Sequence, residues 1–147
     1  MKNRLVLFLW FFSLSFTMTS TLHAQNENAA RKLMDKAAVA FEAQNFEQCI
    51  QLLQSSIQKD TNLIDAYITL FQVYSKIKQP RKAIDVFENV LQKDAANCGP
   101  YILKYATALA SIGSYEKALN TINTFAQKTP AYQQQSINDL IAICQFA

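Results

Sequence analysis

The chain has 147 residues, half of them hydrophobic, with fourteen Lys and Arg against eleven Asp and Glu for a formal charge of +3. That length suits one domain, and charges of both signs are interspersed with no basic cluster larger than "PRKA", which excludes the electrostatic footprint of a nucleic-acid binder. Only two glycines and three prolines occur, so long helices joined by short turns are predicted.

The first 24 residues, "MKNRLVLFLWFFSLSFTMTSTLHA", have the three-part build of a secretory signal peptide. Lys2 and Arg4 make the positive start, Leu5 to Phe12 the apolar block, and Leu22 with Ala24 the small-residue cleavage pattern that leaves Gln25 first. A membrane-spanning helix needs about 20 predominantly apolar residues, and this block is roughly a dozen, so removal is predicted and stable membrane insertion afterwards is not. Without Lys2 and Arg4 the charge falls from +3 to +1. An exported address, periplasmic or secreted, follows as an expectation. The absence of an N-x-S/T acceptor fits a bacterial envelope protein.

Beyond that segment one pattern is written three times. Asn45-Phe46-Glu47-Gln48-Cys49-Ile50, Gln79-Pro80-Arg81-Lys82-Ala83-Ile84 and Ser114-Tyr115-Glu116-Lys117-Ala118-Leu119 align without gaps, and the small residues Cys49, Ala83 and Ala118 are spaced by 34 and then 35. Periods of this size mark stacked supersecondary units. Upstream of each lies a second amphipathic segment of about 12 to 14 residues, so each unit is a helix pair. The units cover about 30–63, 64–97 and 98–131 of a domain running 25–147. In the middle unit, Ala66, Tyr67, Leu70, Val73, Tyr74 and Ile77 form one buried stripe, and Ala83, Ile84, Phe87, Val90 and Leu91 another. A small residue at Ala83 lets the two helices cross closely.

The helix ends are predicted from their punctuation. Asn45 and Ser114 are N-caps, Pro80 and Pro130 fit first helical turns with Thr129 as the cap before the latter, and Gly113 ends its helix in a left-handed conformation. Asn62 with Asp65 reads as an acidic capping box. A closing helix over about 131–146 turns Ile137, Leu140, Ile141 and Cys144 inward. Ile143 and Phe146 fall off that stripe, either as fraying apolar residues or as a patch for a second copy or a larger assembly.

Three cysteines cannot all pair within one molecule. Cys49 and Cys144 fall on apolar faces as small hydrophobes. Cys98 sits in a turn and is expected to be the exposed thiol, with an intermolecular disulfide as the sharper alternative.

Tyr67, Leu70, Tyr74, Ala83 and Phe87 in the middle unit, and Ala106, Leu109, Gly113, Tyr115, Ala118 and Pro130 in the third, resemble the tetratricopeptide repeat family. In the first unit Ala37, Phe46, Cys49 and Leu53 stand in the corresponding places. Pro80 departs from the usual aromatic, and the third unit carries one extra residue near Cys98. The resemblance implies an all-α fold: a right-handed superhelical solenoid of three helix pairs plus a C-terminal capping helix.

It also implies a concave face, lined by the first helix of each pair, that holds a peptide or protein partner. The residues it assigns there are Met34, Ala38 and Phe41, then Ile68, Gln72 and Ser75, then Leu103, Lys104, Thr107 and Ser111. Met34, Phe41, Ile68 and Leu103 are equally readable as core. The branch of the family that clamps a carboxylate tail uses lysine, arginine and asparagine on this face. Lys104 alone resembles that set, and Met34, Ala38, Thr69 and Pro100 fill the other places.

Residues for catalysis are scarce. The single histidine, His23, lies in the segment predicted to be removed, which takes away Cys–His and Ser–His–Asp chemistry together. The cysteines lack zinc spacing, and no glycine-rich phosphate loop exists. "SYEK" matches the S-x-x-K pattern without its companion elements, so Ser114 reads as a cap and Lys117 as a solvated helix residue. The expectation is a non-enzyme with no cofactor and no metal. It binds a protein segment on the concave face, or alternatively builds a cell-envelope complex or homo-oligomer through its terminal helix.

Overall fold

The computed structural model describes residues 24–125 and 130–146. The apolar block Leu5 to Phe12, His23 and Thr129 lie outside the described residues. Helix α1 covers 24–42, followed by α2 (Phe46–Lys59), α3 (Ile64–Lys76), α4 (Pro80–Asp94), α5 (Gly99–Ser111), α6 (Tyr115–Phe125) and α7 (Gln134–Phe146). Short 3-10 turns at Ala95–Asn97 and Ala131–Gln133 precede α5 and α7. No strand occurs among the described residues.

Each helix from α2 to α7 packs on its sequence neighbours, α5 also meets α7, and α1 meets α2 through the Phe41 and Phe46 rings. Lys76 at the end of α3 reaches the Phe41 ring on α1, and Lys117 on α6 bonds to Glu88 on α4. First helices therefore stand beside first helices, and second helices beside second helices. The core threads between the two layers. Phe87 on α4 lies 4.6 Å from Phe71 on α3 and 4.9 Å from Tyr105 on α5, ring to ring, and all three are buried. Such offset ring pairs add about 0.5–1.5 kcal/mol beyond their burial.

The three turns inside the pairs are copies of one another. Gln44, Lys78 and Gly113 adopt positive φ of 57°, 56° and 81°. At each, the next amide bonds back five residues: Asn45 to the carbonyl of Ala40, Gln79 to Tyr74 and Ser114 to Leu109, all at 2.9 Å. With the Gln44, Lys78 and Gly113 amides returning three residues, to Phe41, Ser75 and Ala110, these are Schellman endings. Sequence punctuation marks this conformation only at Gly113. Gln44 and Lys78 hold it at some cost in backbone strain.

Several expected ends hold, and others move. Asn45 caps α2 by accepting from the Gln48 backbone N–H on Oδ1 at 3.2 Å, and its side-chain Nδ2 donates to Gln48 Oε1 at 3.1 Å. Pro80 opens α4. Asn62, however, does not cap α3. The cap position belongs to Leu63, which is buried with Ala30 and Ala66 in a small cluster, and the Asn62 amide donates instead to Asp60 Oδ1 at 2.9 Å. Pro130 stands before a 3-10 turn rather than in a first helical turn.

The exposed thiol predicted at Cys98 is also corrected. The turn Ala95–Asn97 folds Cys98 inward until it is 1% exposed, with Sγ 3.1 Å from the Asp94 carbonyl oxygen. Cys49 and Cys144 are buried on their helix faces as expected, and burial raises the pKa of both thiols.

The turn geometry sets opposite signs for two substitutions. Gly113→Ala meets no atom within 4 Å yet must adopt φ +81°, so it is expected to lower stability by about 1–2 kcal/mol. Lys78→Gly relieves the same strain and is expected to raise stability by about 0.5–1 kcal/mol, net of the entropy glycine brings to the unfolded chain. Urea denaturation of the two variants checks both.

Candidate functional site

The face formed by the first helices is built from the repeat itself. Met34, Ile68 and Leu103 stand 34 and 35 residues apart on α1, α3 and α5. Each is half-buried against the core, leaving part of its side chain free. Phe41, Gln72 and Ser75 are likewise half-buried, whereas Ala38, Lys104, Thr107 and Ser111 are exposed. None of the ten predicted residues is lost to the interior. The core reading of Met34, Phe41, Ile68 and Leu103 and their surface reading are therefore both partly satisfied.

Hydroxyls on this face are turned back onto their own helices. Ser75 Oγ donates to the Phe71 carbonyl at 2.8 Å, Thr107 Oγ1 to Leu103 at 2.8 Å, and Ser111 Oγ to Ala108 at 2.7 Å. With its hydroxyl donors already used, the wall between them is chemically quiet. One cation was missed by sequence reasoning: Lys76 Nζ lies 5.2 Å from the Phe41 ring centroid and 5.9 Å from that of Phe46. Lys76 precedes Ser111 by 35 residues, so extending the repeat alignment by one position finds it.

The opposite face, made by the second helices, is not smooth. An open groove of about 460 Å³ lies between α2 and α4. Gln54, Ile57 and Gln58 form one wall, Asp85, Val86 and Asn89 the other, and Tyr67 with Leu70 of α3 the floor. No sequence motif pointed to it. It arises where two second helices splay over the first helix between them.

Between α4 and α6 the corresponding gap is bridged. Glu88 Oε1 accepts from Lys117 Nζ and, at 3.3 Å, from the Tyr105 hydroxyl, so three helices meet at one carboxylate. Lys117 is a solvated helix residue, its side chain 56% exposed, and also a bridge between units. Burial, then the Glu88 charge and its hydrogen bond, pushes the Tyr105 hydroxyl well above its ordinary value. Among the described residues no group of three or more His, Cys, Asp or Glu side chains could hold a metal ion, and no helix is long and apolar enough to cross a membrane.

Paired antiparallel helices repeated at 34 and 35 residues, with identical turns and a small buried residue in each second helix, define the architecture. This is the tetratricopeptide-repeat fold. No protein-family model matches the sequence, and no curated protein does. Solved tetratricopeptide-repeat structures do match. The TPR2B domain of yeast Sti1, solved in complex with pHsp70, superposes with a TM-score of 0.67 at 17% identity, over 80% of this chain and 96% of that one. YrrB, a TPR protein with an unusual peptide-binding site, gives 0.68 at 17% identity over 86% and 63%. MamA gives 0.64 at 20% identity over 69% and 59%. The chain spans about three fifths of the length of MamA and of YrrB.

The bridge between tetratricopeptide units predicts a pH response. Because folding raises the Tyr105 pKa, its contribution to stability is complete below about pH 10, where the unfolded phenol is still protonated. It is lost as pH rises further, since the unfolded state ionises first. Tyr105→Phe is expected to remove about 1.4 kcal/mol per pH unit from that alkaline loss. Urea melts at a series of alkaline pH values read the difference in slope.

Proposed function

We propose that this chain is a non-catalytic interaction module that holds a peptide or protein segment of a partner on its concave face, in the periplasm or outside the cell. The observation that carries the reading is the row Met34, Ile68 and Leu103, one apolar side chain per repeat, each half-buried against the core with its outer part free. A row of that spacing fits an extended or helical segment lying across all three first helices, with apolar contact supplying affinity. Sti1 TPR2B, solved with pHsp70, and YrrB, named for its peptide-binding site, supply the analogy. The exported address rests on the signal-like segment at 1–24. The non-enzymatic reading rests on the scarcity of catalytic side chains.

Affinity capture from cell-envelope extract tests the proposal. The purified protein is run beside a variant carrying Ile68→Lys and Leu103→Glu, after circular dichroism shows both helical. Partners captured by the parent and lost by the variant are the expected result. Partners kept equally by both would move binding off the concave face.

A second reading draws on one observation. Phe146 is 90% exposed and Ile143 58% exposed at the end of α7, as an edge that docks into an envelope assembly or a second copy would be. Light scattering after size exclusion is expected, on this reading, to show an oligomer that Phe146→Ser returns to monomer. A monomeric parent removes self-association.

A further inference from the structure

The two seams between successive second helices use the same register positions but different charges. Lys82 on α4 and Lys117 on α6 stand 35 residues apart, and Gln54 on α2 and Glu88 on α4 stand 34 apart. Across the α4–α6 seam, Lys117 is bonded to Glu88. Across the α2–α4 seam a neutral amide replaces the acid. Gln54 Nε2 makes only a long 3.5 Å contact with the Tyr74 hydroxyl, and Lys82 Nζ rests over the Tyr74 ring, 5.6 Å from its centroid. Lys82 has no carboxylate partner among the described residues. This seam holds the 460 Å³ groove, and Lys82 stands one helical turn before its Asp85 and Val86 wall, outside the lining.

We propose that the α2–α4 cleft is a second binding site, on the face opposite the concave one, for a peptide segment carrying a single carboxylate near a bulky aliphatic side chain. The carboxylate takes toward Lys82 the place that Glu88 holds toward Lys117. The aliphatic side chain enters over Ile57, Leu70 and Val86, which supply the apolar part of the lining. Asn89 has its amide nitrogen bound to the Asp85 carbonyl at 2.8 Å, so its side-chain oxygen is left to accept a peptide N–H. Asp85 is the one acid in the lining. It repels a second carboxylate, so the segment carries its acid at the Lys82 end only. The site shares no residue with the Met34, Ile68 and Leu103 row, and either can fail alone.

Two acetylated, amidated pentapeptides test it: Ser-Leu-Ser-Glu-Ser and its neutral twin Ser-Leu-Ser-Gln-Ser, titrated into the purified protein and followed by amide proton–nitrogen spectra. Shifts are expected at Gln54, Leu70, Lys82 and Val86, with the acidic peptide bound about threefold to fivefold more tightly, the size an exposed ion pair contributes. The advantage should shrink with added salt and vanish in Lys82→Gln. Gln54→Glu supplies the missing acid within the chain. It should keep the helical spectrum while abolishing the preference for the acidic peptide. Equal affinity for the twins, no shifts at those four residues, or an undiminished preference in Gln54→Glu would overturn the proposal.

Discussion

Three side chains too small to hold helices apart set the geometry of the stack. Cys49, Ala83 and Ala118 are each the fourth residue of a second helix and are fully buried. Each sends its amide back to the residue that leaves the turn, Asn45, Gln79 or Ser114, at 3.0–3.1 Å. The left-handed residue just before fixes the direction in which the second helix starts, and the small residue fixes how closely it returns. A larger side chain there would cost about 1–3 kcal/mol through overpacking. It would also shift every unit beyond it, because in a solenoid each repeat is placed only by its neighbours.

The two interfaces between units are built from different contacts. The second and third units share the ring contacts of Phe87 with Tyr105 and Tyr101 and the carboxylate that joins Glu88, Lys117 and Tyr105. The first and second units meet where α2 packs on α3 and where Lys76 lies over the Phe41 ring. Within the first unit Ser56, the buried polar side chain of α2, bonds to the Ala30 carbonyl of α1 at 2.8 Å, and across the unit boundary Leu63 joins Ala30 and Ala66 in a cluster separate from the main core.

Much of this was legible in the sequence because the fold is periodic. Residue spacing identified the pairs, the crossing residues, the inward face of α7 and the exposure of Ile143 and Phe146. What escaped lay where tertiary contact overrides local chemistry. Gln44 and Lys78 carry no glycine signal because the turn imposes φ on them. Leu63 displaced Asn62 from the cap because burying leucine against Ala30 and Ala66 outweighs one capping bond. Cys98 turned inward because a 3-10 turn absorbed the longer spacing between units. The α2–α4 cleft was invisible for a different reason: it is a missing acid at Gln54, and an absence has no motif until a sister repeat shows what belongs there.

The two faces differ in the kind of selectivity they can offer. On the concave side the hydroxyls of Ser75, Thr107 and Ser111 are committed to their own helices, and Lys104 is the single charged residue among the ten assigned there. On the proposed reading charge enters at Lys104 and at Lys76, held over the Phe41 and Phe46 rings, and a bound segment is otherwise sorted by apolar contact along Met34, Ile68 and Leu103. Ionic strength has little purchase on such contacts. On the proposal for the outer cleft, Lys82, whose ammonium rests over the Tyr74 ring, would sort segments together with Asp85 by the sign and position of charge, an effect that weakens as salt rises. On the two proposals, one small stack of helices would carry, on opposite surfaces, an apolar ruler and a charge filter.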